Sequence, residues 1–193
     1  MAQKNVALFL APGCEEIEAL TVADILFRAG IPCDTISVAE GREVTSSHNV
    51  TVIADKHIDD VELDAYDMLV LPGGLPGTPN LHANAKLMVA VHAFAEANKP
   101  LSAICAAPSI FAEEGLLKGR RATSNPGFQH VLAEQGAELV ADEPVVVDGN
   151  FTTSQGMGTA IDFALEIVRR FQGDDAVEDM KPKIVYWDKC TCS

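Results

Sequence analysis

Cys105 stands where a short apolar run ends. In Pro100-Leu101-Ser102-Ala103-Ile104-Cys105-Ala106-Ala107-Pro108-Ser109-Ile110 the run reads as a buried strand, the alanines as a tight turn, and the residues from Pro108 as a helix. A strand that turns sharply into a helix needs small neighbours. It leaves the turn residue exposed beside free helix N–H groups, which suits a nucleophile. A helix N-terminus favours negative charge, so the placement predicts a thiol that ionises more easily than a free cysteine.

Three acidic residues, Glu15, Glu16 and Glu18, crowd the start of the first expected helix. Glu15 and Glu16 suit the positive end of the helix dipole. Glu18 lies one step further in and can project across the strand ends. A carboxyl group pressed against a thiol has its pKa raised by burial, and once protonated it can donate to a thiolate. Gly73-Gly74 follows another apolar strand and offers backbone N–H groups with no side chain in the way. Gly74 with Ala106 would then form an oxyanion hole; the alternative is a plain tight turn.

Other motifs exclude chemistry. Gly156-Met157-Gly158 opens a helix, but Ile161 stands where a dinucleotide fingerprint needs its third glycine, so close helix–sheet packing is expected rather than a cofactor site. His48, His57, His82, His92 and His130 show no metal-ligand spacing. No metal and no cofactor is expected. The five cysteines are few and irregularly spaced, unlike a disulfide framework, and Cys190-x-Cys192 reads as a frayed end.

The elements that must hold these residues alternate. Strands are expected at Val6 to Leu10, Cys33 to Val38, Met68 to Leu71 and Leu101 to Ile104. Helices are expected at Glu16 to Ala29, Ala85 to Ala97, Pro108 to Leu117, Phe128 to Gln135, Thr159 to Phe171 and Asp174 to Met180. Val44 to Thr45 and Val50 to Ala54 form a small β excursion, Arg121 to Ser124 a short strand, and Asp148-Gly149-Asn150 the turn of a hairpin. Strand–helix alternation with strands apolar on both faces implies a doubly wound α/β sandwich around a mostly parallel sheet. Ligands bind beyond the carboxyl ends of such strands. The loops Pro12 to Glu18, Pro72 to Gly77 and Cys105 to Pro108 all leave such ends, so one pocket is expected among them.

The 193 residues suit one domain, with residues 181–193 as a loosely attached tail. The net charge of −14 argues against a nucleic-acid-binding surface. No apolar run approaches the roughly 20 residues of a membrane span. The short run Val6 to Ala11 fits a first strand better than a signal peptide, so a cytoplasmic location is expected.

Four segments in order, Ala11-Pro12-Gly13-Cys14-Glu15-Glu16-Ile17-Glu18, Leu71-Pro72-Gly73-Gly74, Ala103-Ile104-Cys105-Ala106-Ala107-Pro108 and Thr153-Ser154-Gln155-Gly156-Met157-Gly158-Thr159-Ala160, closely resemble the ThiJ/PfpI superfamily, most of all its ThiJ branch. The resemblance runs from the first strand to the helix ending near Phe171. It implies a flavodoxin-like sandwich that forms a homodimer. It implies Cys105 as nucleophile, Glu18 as its carboxyl partner, and Gly74 and Ala106 as oxyanion donors; Gly73, Asn125, Glu16, His48 and Arg28 are expected in substrate binding or support.

Three positions depart from what the resemblance implies. Asn125, in Thr123-Ser124-Asn125-Pro126, stands where many glyoxalase-active members carry a histidine. A neutral amide hydrogen-bonds but is no general base, so proton transfer falls to Glu18. Ala106 stands where the protease-like branch has a histidine, which disfavours peptidase activity. His48 replaces an arginine at the rim facing the dimer partner and would make anion contacts pH-sensitive. Arg28 matches the pattern and is expected at the dimer contact. The function so implied is a Cys105-dependent enzyme acting on small reactive aldehydes or glycated adducts, such as methylglyoxal to lactate. The alternative is an oxidative-stress sensor or chaperone in which Cys105 becomes a sulfinate.

Overall fold

The computed structural model describes residues 4–187. From its amino end the chain runs β1 (Val6–Leu10), α1 (Glu16–Arg28), β2 (Cys33–Ser37), β3 (Glu43–Thr45), β4 (Thr51–Ile53) and β5 (Lys56–His57). Next come β6 (Met68–Leu71), α2 (Gly77–His82), α3 (Ala85–Glu96), β7 (Leu101–Ile104), α4 (Pro108–Glu113) and β8 (Arg121–Ala122). The last elements are α5 (Gln129–Glu134), β9 (Glu138–Leu139), β10 (Val145–Asp148), β11 (Phe151–Ser154), α6 (Ala160–Gln172) and α7 (Asp174–Lys183).

Seven strands form one sheet in the order β10-β11-β7-β6-β1-β2-β5. All are parallel except β10, which pairs antiparallel with β11. Successive side chains of a strand point to opposite faces, and here both faces are covered. Ala7 and Phe9 of β1 with Leu69 and Leu71 of β6 pack under Leu87, Val91 and Phe94 of α3 and Phe111 of α4. Val6, Leu8, Met68 and Val70 pack the other way, against Val22 and Leu26 of α1 and Phe163 and Val168 of α6. Each fully buried Phe or Leu contributes about 1.5–3 kcal/mol, so these two layers fix the register of the central strands. The strand order reverses at β1, and this puts the carboxyl ends of β2, β1, β6 and β7 along one rim. The flavodoxin-like α/β sandwich expected from the sequence is the fold observed.

The β excursion is a two-stranded hairpin of β3 and β4. Four expectations are corrected. The helix expected at Pro108 to Leu117 ends at Glu113, because Gly115 turns the chain with φ +74°. Of the strand expected at Arg121 to Ser124, only β8 pairs, with β9. The helix expected at Asp174 to Met180 continues to Lys183. The loose tail expected from residue 181 is docked as far as residue 186: Ile184 and Tyr186 pack against the α1/α6 layer, and the Tyr186 hydroxyl donates to Asp162. The Cys190-x-Cys192 motif lies outside the described residues.

Candidate active site

The turn after β7 is built around Cys105 itself. Its φ is +65°, a left-handed conformation that costs an L-residue roughly 1–2 kcal/mol. Hydrogen bonds on both sides hold it. The Cys105 N–H donates to the Ser154 carbonyl at 2.9 Å, and the Asn125 N–H donates to the Cys105 carbonyl at 2.8 Å. Ala106 and Ala107 are buried, and Pro108 starts α4. The side chain is thereby lifted, half-buried, at the sheet rim.

Two glycines let the neighbouring strand end approach. A Cβ on Gly73 would lie 2.6 Å from the Cys105 Cβ and 2.9 Å from Glu18 Oε2. Gly74 has φ +94°, and a Cβ there would fall 2.4 Å from the Glu15 nitrogen. Only glycine fits either place. The backbone N–H groups of Gly74 and Ala106 both bond toward the Cys105 sulfur. The structure therefore brings together Cys105, Glu18, Gly73, Gly74 and Ala106.

Glu18 is 1% exposed in the first turn of α1. The Glu15 side chain caps that turn, its Oε2 accepting the Glu18 N–H at 2.7 Å. Glu18 Oε2 accepts the Gly73 N–H at 2.9 Å. Its Oε1 is buried beside Cys105 and makes no hydrogen bond of regular geometry among the described residues, although the Cys105 thiol and the Met157 N–H both pull on the carboxyl. Burial pushes the Glu18 carboxyl up to about 7, against the pull of Cys105 and of the Gly73 N–H.

The expected acidic thiol is not what this environment produces while Glu18 is charged. Burial first, and then the Glu18 carboxylate, push the Cys105 thiol up to about 12, although the N–H groups of Ala106 and Gly74 pull it down. The acidity of the thiol thus depends on where one proton sits. With Glu18 protonated the repulsion disappears and Oε1 becomes a donor to the sulfur. Thiol and carboxyl titrate as a pair.

The remaining predicted residues divide. Asn125 is half-buried beside the thiol; its Oδ1 accepts the Gly127 N–H at 3.0 Å, which leaves Nδ2 free to face the site. His48 Nδ1 lies 3.1 Å from Glu16 Oε2 and 4.0 Å from Glu15 Oε1, so His48 is committed to acids at the rim. Glu15, Glu16 and His48 each present a ligand atom within 4.8 Å of the others, the one such group among the described residues. A divalent cation could use those atoms, and the Glu16–His48 ion pair satisfies them without one. Arg28 is not at the pocket. It pairs with Asp24 at 2.7 Å on the exposed face of α1.

The sequence reading missed Gly156. Assigned there to helix packing, it stands over the thiol: a Cβ at Gly156 would lie 3.8 Å from Cys105 Sγ, 3.8 Å from Glu18 Oε1 and 3.6 Å from Asn125 Nδ2. The available signal was position, because Gly156 leaves β11, and β11 pairs with the strand that ends in Cys105.

Residues 4–170 match the DJ-1/PfpI family. The chain belongs to that family. Protein DJ-1 homolog B of Arabidopsis thaliana is 41% identical over 165 residues, 85% of this chain; the matched region is 37% of that longer relative. The protein named Deglycase TK1284 of Thermococcus kodakarensis is 33% identical, over 86% of this chain and 98% of its own length. The crystal structure of Drosophila melanogaster DJ-1beta superimposes with a TM-score of 0.92 at 33% identity, covering 96% of this chain and 100% of that one. DJ-1/PfpI membership agrees with the ThiJ/PfpI resemblance carried by the four sequence segments.

Proposed function

We propose that this DJ-1/PfpI protein is a cysteine-dependent enzyme acting on reactive carbonyls, glyoxalase-like or deglycase-like, with methylglyoxal converted to lactate as its test reaction. The observation that carries the reading is the buried Glu18 carboxyl, whose Oε1, without a hydrogen bond of regular geometry, sits beside a thiol that two backbone N–H groups also face. The name of the Thermococcus relative supports it.

The chemistry balances without an oxidant. The Cys105 sulfur adds to the aldehyde carbon, the C=O π bond breaks, and the thiol proton passes through Glu18 to the new oxygen. This gives a hemithioacetal. The oxygen develops charge between the N–H groups of Gly74 and Ala106. Glu18 then takes the proton from the former aldehyde carbon as the ketone oxygen gains one, giving an enediol, and returns it to the neighbouring carbon as the first hydroxyl loses its proton to become the thioester carbonyl, so one carbon is oxidised as the other is reduced. Water cleaves the resulting thioester to lactate and restores the thiol. Early glycated adducts would enter once the C–N or C–S bond to their amine or thiol breaks, releasing that group with a proton and regenerating the aldehyde for the same attack. Incubation with methylglyoxal should yield lactate above a Cys105→Ala control. Equal yields from both proteins would end this reading.

A second reading has its own observation. Cys105 is half-buried rather than sealed, and Glu18 Oε1, if protonated, can donate to an oxidised sulfur. Both thiols are pushed up to about 12, but only Cys105 has backbone N–H groups pulling it down and a carboxyl beside it that can be protonated, so as a sensor Cys105 should form sulfinate under mild peroxide well before Cys33. Mass spectrometry decides. We place the protein in the cytoplasm as a homodimer. The dimer reading rests on an exposed apolar groove lined by Leu20, Ile161 and Val185, with Arg28 at its edge.

A further inference from the structure

We propose that His82, Glu114 and His92 are positioning residues. They tie together the far ends of the two short helices whose near ends carry the oxyanion donors, and so hold the Gly74 and Ala106 N–H groups at a fixed separation. For its effect on turnover the inference rests on the carbonyl reading above.

The two donors are mounted alike. Gly74 lies in the loop that enters α2, and Ala106 in the turn that enters α4. Each helix has six residues, about 9 Å at 1.5 Å per residue. Helices this short are marginal on their own, so their direction depends on what they are tied to. At the site end α2 is tied to the loop after β1. The Gly77 N–H donates to the Gly13 carbonyl at 3.0 Å, and Asn80 Nδ2 donates to the Pro12 carbonyl at 2.8 Å. Neither bond reaches α4.

The tie to α4 is at the other end. His82 is the last residue of α2, Glu113 is the last of α4, and Glu114 follows it. His82 Nε2 lies 2.8 Å from Glu114 Oε1, and its Nδ1 lies 3.2 Å from Glu113 Oε2. Among the described residues these are the polar contacts between the two helix ends. The second Glu114 oxygen meets His92 Nε2 at 2.5 Å. His92 stands on α3, which has 12 residues and is anchored under the sheet by Leu87, Val91 and Phe94. One half-buried carboxylate thus joins two short levers to a fixed post. With the bridge cut, α2 and α4 can part, and their donors part with them. Donors must be held within about 0.5 Å to serve a transition state, and small misplacements caused far from the chemistry slow it. The same two N–H groups pull the Cys105 thiol down, so the thiol reads their placement without any substrate.

The test compares Glu114→Ala, Glu114→Gln and Val177→Ala. Val177 is buried in the helical layer on the opposite face of the sheet, so its truncation lowers stability without touching α2, α3 or α4. With methylglyoxal, Glu114→Ala should lose roughly three- to thirtyfold in kcat while KM moves less than about twofold, because the donors act on charge that develops in the transition state. Thiolate absorbance is followed in a Glu18→Gln background, where Cys105 titrates without the carboxylate. There Glu114→Ala should shift the titration up by about half a unit. Glu114→Gln keeps an oxygen and an NH2 group that can bridge both imidazoles, and should recover most of both effects. Val177→Ala should show neither. An unshifted titration in Glu114→Ala, an equal shift in Val177→Ala, or no recovery in Glu114→Gln overturns the positioning role while the carbonyl reading stands. No lactate from the wild type overturns the carbonyl reading, and the titration alone then decides the positioning role.

Discussion

At the residue scale the pair Cys105–Glu18 holds one proton too few to satisfy both groups when charged. Replacing Glu18 by Gln removes the carboxylate that pushes the thiol up, yet keeps an oxygen for the Gly73 N–H. Two opposite effects should follow. The ultraviolet thiolate absorbance of Cys105 should rise at lower pH than in the wild type. Lactate formation should fall by about 10²-fold or more, because the proton carrier is gone. Stability gives a third reading. Glu18 is raised in the fold to about 7 from its ordinary value, so its favourable contribution is complete below that ordinary value and is lost as pH rises through about 7. The wild type should lose up to about 3 kcal/mol over that window in chemical denaturation, and Glu18→Gln should show no such slope. Cys105 and Glu18 were legible in the sequence because strand ends and helix starts are local patterns. The sign of the thiol shift was not, since it comes from burial and from a carboxylate 87 positions away in the chain. Gly156 was hidden for the same reason: its place over the sulfur follows from the pairing of β11 with β7.

At the element scale, α2 is the helix the sequence did not announce. Its six residues include Gly77 and Pro79 and are too few to show a helical period. Tertiary bonds hold it instead. The Gly77 N–H donates to the Gly13 carbonyl at 3.0 Å and the Thr78 N–H to the Gly74 carbonyl at 2.9 Å, which locks the loop bearing the oxyanion donor. Its far end is clamped by two acids at the carboxyl end of α4, Glu113 in its last turn and Glu114 just after it. Glu114 takes His82 Nε2 at 2.8 Å and His92 Nε2 of α3 at 2.5 Å, and Glu113 lies 3.2 Å from His82 Nδ1. The two imidazoles hold the Glu114 carboxyl below its ordinary range. A depressed carboxyl stabilises the fold above its unfolded pKa, and that contribution is lost as pH falls through the folded value. Glu114→Ala should therefore cost about 1 kcal/mol in urea unfolding near neutrality, and the deficit should shrink in acid. A deficit that grows in acid would contradict the clamp. The long elements, by contrast, were legible: β1, β6 and β7 are continuous apolar runs, and α1 and α6 keep one apolar face over 13 residues each.

At the scale of the whole molecule, the sheet needs both of its helical layers, yet one layer leaves apolar surface uncovered. Ile17 and Leu20 on α1 are 47% and 39% exposed, Ile161 at the start of α6 is 41%, and Val185 after α7 is 68%. A groove joins Leu20, Ile161 and Val185, with Asp24 and Arg28 along its edge. A monomer gains nothing by exposing a continuous apolar patch, whereas a second copy would bury it on both sides. Net charge opposes that meeting, since each chain carries −14. Two consequences separate apolar association from charge pairing. Salt screens the mutual repulsion, so the dimer should tighten as ionic strength rises; an interface held by Asp24 and Arg28 would loosen. Leu20→Glu places a charge in the groove and should give a protein of about 20.6 kDa by light scattering under conditions where the wild type reads twice that mass. Leu20 lies on the opposite side of α1 from the buried Val22 and Leu26, so the substitution should leave the melting of the protomer nearly unchanged at low concentration. A wild type that stays monomeric at micromolar concentration in high salt would leave the groove without its second copy.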